Sequence, residues 1–167
     1  MSEDTFTNRD FMAYLRIFAG ESDRGVAVVG AAMIETALLD SISKHSKLGD
    51  LGFIKSSSTG QKADLASKLD LLNEEWPSMI RKLIDIRNDA AHIRSELAVD
   101  LESPLYLDRI TPLGELIATA SSRFAEGRPF APPGPSGREI LIWCYSMVIG
   151  HIDAVSNNLV IQAIRSG

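Results

Sequence analysis

Three side chains in one short stretch have the chemistry of a site. Arg87, Asn88 and His92 lie in Ile86-Arg87-Asn88-Asp89-Ala90-Ala91-His92. A guanidinium binds phosphate or carboxylate in a fork geometry, and an imidazole exchanges a proton near neutral pH. One reading is therefore an anion or ligand site: Arg87 holds a phosphate, Asn88 adds a hydrogen bond and His92 is a general acid/base. The other reading is structural. Arg87 then pairs with an acidic residue of another helix, and His92 caps a helix end or is solvated.

Projected on a regular helix, Ile80, Leu83, Ile84, Ile86, Ala90 and Ala91 share one arc, and Arg87 falls near its middle. An unpaired arginine among apolar groups carries a large desolvation cost. Arg87 is accordingly expected to be buried and hydrogen-bonded to a carboxylate, a carbonyl or an anion. Asp85, Asn88 and His92 lie beside the arc, toward its polar side. Positions 87 and 92 are about 140° apart. They converge on one atom only if the helix ends or bends near His92, or if two subunits share the site.

Other chemistry is less well represented. Arg24, in Ser22-Asp23-Arg24, is a candidate second ligand for the anion of Arg87, while Ser22 or Asp23 serves as a helix cap. His45 and His151 stand alone, and no cluster has zinc-ligand spacing, so no metal and no cofactor are expected. The Ser56–Gly60 run lacks the lysine and glycine spacing of a phosphate-binding loop. No nucleophile-elbow motif marks a catalytic serine. Cys144 sits in an apolar run and reads as an inert core thiol.

The elements that must position these residues are helices. Apolar residues recur at helical rather than alternating spacing along nearly every long segment. A first helix runs from Thr7 or Asn8 to about Ala19, with Phe11, Tyr14, Leu15 and Phe18 on one face. A second, apolar around much of its circumference, reaches about His45, and Gly30, Ala31 and Ala32 let a neighbour approach it. Ser46–Gly60 reads as a loop, Gln61–Asn73 as a third helix, and Pro77 to about Ser95 as a fourth. Glu96–Ile110 is mixed, with room for one short helix from Pro104, and Thr111-Pro112 opens a further amphipathic helix. Gly127–Gly137, with its prolines and glycines, is a surface loop or arm, and the last helix spans about Arg138–Ile164. The expectation is a single all-α domain over residues 1–167, a compact up-and-down bundle of five to seven helices.

Composition narrows the class. The 167 residues are 45% apolar and 23% charged, enough for one core, and the net charge of −5 argues against general coating of nucleic acid. One cysteine precludes an intrachain disulfide and suits a reducing compartment. Met1–Asn8 has no apolar core of an export signal. The apolar run Ile140–Gly150 is shorter than the about 20 residues of a membrane span and reads as a buried helix. A cytoplasmic chain with no membrane association is expected.

Arg-Asn-x-x-x-His on a helix is similar to the Arg-x4-6-His motif of the HEPN superfamily. Those are small α-helical domains, often dimeric; some are RNA-cleaving toxins or antiviral RNases, and others bind nucleotides or proteins. The chain also resembles the mannitol operon repressor family in three places. They are Glu21-Ser22-Asp23-Arg24-Gly25 opening the long apolar helix, Leu65–Leu72, and Ile80–His92 followed by Leu101-Glu102-Ser103-Pro104. Together they span Glu21–Ile110. Departures are the Ser-Ser-Ser-Thr-Gly run where a Gly-Pro-Leu-Gly-like loop would stand, and the shortened Asn73–Pro77 turn.

The resemblance implies a HEPN-like bundle and a non-enzymatic regulatory or interaction protein related to transcription regulation, acting as a helical homodimer on a protein or ligand. No basic recognition helix stands out, so direct DNA binding is not expected. The alternative is a metal-independent HEPN-type endoribonuclease acting on RNA, with Arg87 and His92 catalytic and Asn88 supporting. A third is a HEPN partner of a nucleotidyltransferase, as toxin or substrate. The apolar surface of the second and last helices exceeds what a monomer of this size needs to bury, so a dimer through helices two, four or six is expected.

Overall fold

The computed structural model describes the backbone of residues 8–45, 52–93, 97–122 and 136–166, with side chains described from residue 13 to residue 157. Seven helices occupy nearly all of it: α1 (Asn8–Phe18), α2 (Asp23–His45), α3 (Gly52–Ser56), α4 (Thr59–Lys68), α5 (Trp76–His92), α6 (Pro104–Ser122) and α7 (Gly137–Ser166). No strand occurs among the described residues. The protein is an all-α compact bundle.

The two apolar helices form its centre. α2 packs most extensively on α7; α6 and α1 lie against α7, and α4 and α5 against α2 and each other. From Ile140 to Gly150 every residue of α7 is buried, as a helix covered on all sides requires. α2 and the 137–157 part of α7 are long and apolar enough to cross a membrane; here half of the former and 72% of the latter is buried in the bundle.

Gly30 sets the distance between the central pair. A Cβ there would overlap the Tyr145 ring, so only glycine lets α7 approach this closely. The single proton of the Tyr145 hydroxyl is shared between the Ala27 carbonyl at 3.0 Å and, more weakly, the Leu83 carbonyl at 3.4 Å, joining α7 to α2 and α5. Phe18 stacks on the same ring at 6.2 Å between centroids and brings in the end of α1.

Helix ends are satisfied from distant parts of the chain. Ser136 and the Glu102 carboxylate together cap α7: Glu102 accepts from the Gly137 and Arg138 backbone N–H groups, each at 3.0 Å, and from the Ser136 hydroxyl at 2.8 Å. Those backbone bonds hold the Glu102 carboxyl below the usual carboxylate range. Arg138 donates to Asp23 at 2.8 Å and to the Phe18 and Glu21 carbonyls at 3.2 and 2.5 Å. Asp23 also accepts from the Leu101 N–H at 2.9 Å. Ser22 caps α2 through its bond from the Gly25 N–H, which leaves the Asp23 carboxylate for these long-range partners.

Three segments differ from the sequence expectation. The Ser46–Gly60 region is not all loop, because residues 52–56 form α3 and α4 begins at Thr59. Ser58 and Gln61 make a capping box there, a start signal stronger than the glycine and serine content. Lys62, 1% exposed, then donates to Glu35 at 2.7 Å and to the Ser57 and Lys55 carbonyls at 2.6 and 3.3 Å. α4 stops at Lys68 rather than Asn73, where Asp70 takes a left-handed φ of 58°.

The two segments expected around Pro104 and Pro112 are one helix, α6, with Pro112 inside it. A proline interior to a helix removes one backbone bond. The unbroken buried series Tyr106, Ile110, Leu113, Ile117 and Ala120 offsets that loss. The expected Gly127–Gly137 loop lies almost wholly outside the described residues.

Gly30→Ala is expected to destabilise the protein by about 1–3 kcal/mol, because the added methyl must displace a packed aromatic ring. Urea unfolding, compared with Ala32→Gly on the exposed side of α2 (about 1 kcal/mol from helix propensity alone), measures the difference.

Candidate functional site

The buried residues of α5 are Trp76, Pro77, Met79, Ile80, Leu83, Ile86 and Ala90. The core of this stripe, 76, 79, 83, 86 and 90, repeats every 3.5 residues. Such a repeat drifts by about 20° per heptad around a straight helix. By the level of Arg87 the stripe has moved away from it, and Arg87 flanks the seam instead of centring it. The structure therefore corrects the expectation of burial: Arg87 is exposed, and so is Ala91. Its hydrogen-bond partner is its neighbour, since Nη1 donates to the Asn88 side-chain oxygen at 2.9 Å.

His92 is exposed in the last turn of α5, and Asn88 is half-buried. α5 runs as far as His92, its last residue, and on a regular helix Arg87 and His92 stand about 140° apart. The Arg87 charge is felt at Tyr145 of α7. There burial raises the Tyr145 phenol well above its ordinary pKa, Cys144 adds to the rise, and the Arg87 charge opposes it.

Arg24 reaches the segment just beyond α5. Its guanidinium donates to the Ile93 carbonyl at 2.9 Å and to the Leu97 carbonyl at 3.3 Å. A cation on the last carbonyls answers the negative end of the helix. Arg24 thus has a structural role, tying Ile93 and Leu97 to α2.

Three residues in or near the motif were missed in the sequence. Asp89 on α5 forms an ion pair with Arg109 on α6, with side chains 54% and 34% exposed. Tyr106, one turn before Arg109, is 2% exposed, and its hydroxyl has no hydrogen-bond partner among the described residues. Burial raises its pKa first, then the Asp89 charge, with Arg109 and Arg24 acting against them. The same corner thus gathers α2, α5 and α6. Arg109 belongs to the segment that the sequence pattern left mixed, so no local signal paired it with Asp89.

The remaining candidates are accounted for by packing. Cys144 is fully buried, and burial pushes its thiol pKa well up, which suppresses the reactive thiolate. His151 stacks on Trp76 with ring centroids 4.3 Å apart and an 11° interplanar angle. Burial lowers its pKa to about 4. His45 is exposed at the end of α2. Among the described residues no group of three His, Cys, Asp or Glu side chains is placed to hold a metal.

His151 gives a signed pH dependence. The folded protein keeps it neutral down to about pH 4, while the unfolded chain takes up the proton near 6.5. Stability is complete above pH 6.5 and falls between 6.5 and 4, by at most about 3 kcal/mol from this group. His151→Phe, which keeps a ring against Trp76, is expected to flatten that part of the profile. Urea midpoints measured at pH 7, 6, 5 and 4.5 are the check.

No family model, no curated protein and no solved structure matches this chain.

Proposed function

We propose that this protein is a non-enzymatic regulatory or interaction module, resembling mannitol operon repressor-like transcriptional regulators, which works in the cytoplasm by binding a protein or an anionic ligand as a homodimer. The observation that carries this reading is the placement of the motif. Arg87 and His92 both reach solvent, on different sides of α5, and Arg87 is hydrogen-bonded to Asn88. A catalytic pair needs its members on one reacting atom; a recognition surface needs only that they be accessible. Arg87 and Asn88 are then the first contacts for an anion.

Apolar side chains on the same end of the bundle support a protein contact. Leu97 and Leu105 are 62% and 66% exposed. Leu105 precedes Arg109 by one helical turn and so shares its face of α6. Aliphatic groups beside an ion pair are the usual mixture of a protein-binding surface. The acidic chain, with its net charge of −5, favours such partners over DNA.

One observation favours the ribonuclease reading as second: the exposure of Arg87 and His92 leaves them open to a polyanion, and a two-fold axis would bring copies from two chains to one cleft. Incubation with mixed RNA separates the two. The expected result is no cleavage above that of a His92→Ala variant. Cleavage abolished by His92→Ala and by Arg87→Ala would replace the interaction reading with the enzymatic one. Light scattering at micromolar concentration tests the dimer; a mass near the 18.2 kDa of one chain would remove both the dimer and the shared cleft.

A further inference from the structure

The face of α5 that carries His92 has a different cation from the one the motif suggests. Asp89 and His92 are three residues apart and about 60° apart around the helix, and so are neighbours. Arg87 is about 140° from His92. The residue that α6 delivers to this face is Arg109, paired with Asp89. Arg24 stands at the same corner on the Ile93 and Leu97 carbonyls. Arg24 thus places a second cation just past the end of α5, where it offsets part of the negative end of the helix. One turn before Arg109 on α6, the buried Tyr106 hydroxyl has no hydrogen-bond partner among the described residues and lies within the fields of Asp89, Arg109 and Arg24.

We infer that this α2–α5–α6 corner is a phosphoryl-binding site in which Arg109, not Arg87, is the principal cation, His92 is the second donor and Asp89 is an internal competitor that holds Arg109 until the anion arrives. The inference rests on the anion-binding part of the reading above and changes its residues. The ligand class is a phosphate dianion, free or as a phosphomonoester. A guanidinium exchanges one carboxylate for a phosphate without reorganising, because both accept its forked donors in the same plane. The pair is also partly exposed, and such pairs are held only weakly, so displacing Asp89 is easy.

The arrangement predicts opposite effects for the two halves of one ion pair. The test follows backbone amide shifts by NMR at fixed ionic strength, with inorganic phosphate, phenyl phosphate and a short single-stranded RNA as separate probes. Arg109→Met is expected to weaken phosphate or phenyl phosphate binding about tenfold or more, as loss of a charge-assisted bond does. Asp89→Asn is expected to tighten it several-fold beyond the effect of Asp85→Asn. Asp85 is an exposed carboxylate one turn earlier, so its removal changes the local charge equally without releasing an arginine. Saturation by phenyl phosphate but not inorganic phosphate identifies a phosphomonoester, and equal binding identifies free phosphate; either supports the site.

Loss of binding in Arg87→Met with no loss in Arg109→Met would overturn this inference and leave the anion reading at Arg87 intact. Equal effects of Asp89→Asn and Asp85→Asn would overturn the competitor role. Response to the RNA alone would overturn the site in favour of backbone recognition, and response to none of the probes would remove the anion reading altogether.

Discussion

The Tyr145 phenol is the contact on which the bundle turns. Its ring fills the space that Gly30 leaves open, and its hydroxyl serves carbonyls of both α2 and α5. A buried hydroxyl must find an acceptor. The Leu83 carbonyl offers one because each carbonyl has a second lone pair beyond its helical bond. Three helices are thereby fixed at one height, and the register of α5 against α2 and α7 follows. That register decides which α5 residues beyond Leu83 are still covered, and so leaves Arg87 outside.

Around this centre the helix ends are held by charged side chains that cross the sequence. Arg138 answers Asp23 and two carbonyls at the α1–α2 turn, Glu102 caps α7, Lys62 closes α3, and Arg24 closes α5. Each satisfies backbone groups that a helix terminus leaves open. These contacts do more than saturate hydrogen bonds. They place the first turns of α2, α6 and α7 together, and so set the corner where Asp89, Arg109 and Tyr106 meet. The rigidity of that corner comes from polar geometry, and the position of the whole assembly from the apolar α2–α7 seam.

The fold class was legible in the chain because helical periodicity is a local property. The spacing of Leu113, Ile117 and Ala120, all on α6, reports an apolar face whatever lies across from it. Ser58 with Gln61 marks a helix start in sequence as in structure, although the surrounding serines and glycines masked it. Gly30 was recognisable as a place of close approach, but not its partner. Pro112 misled, because proline marks a helix start only where no continuous apolar face carries the helix through it.

The candidate site was legible only in part. The sequence alone determined that Arg87, Asn88 and His92 share one helix, that about 140° separates the two ends of the motif, and that Cys144 is core. Whether Arg87 is covered depended on a drift of the buried stripe relative to the helix, which is set by the partners of α5 and not by its own residues. The pairing of Asp89 with Arg109, twenty positions apart, and the hold of Arg24 on the Ile93 carbonyl are contacts between elements. No periodicity encodes them, because a salt bridge or a carbonyl bond depends on the distance between two helices, and that distance is fixed only when the apolar seam closes.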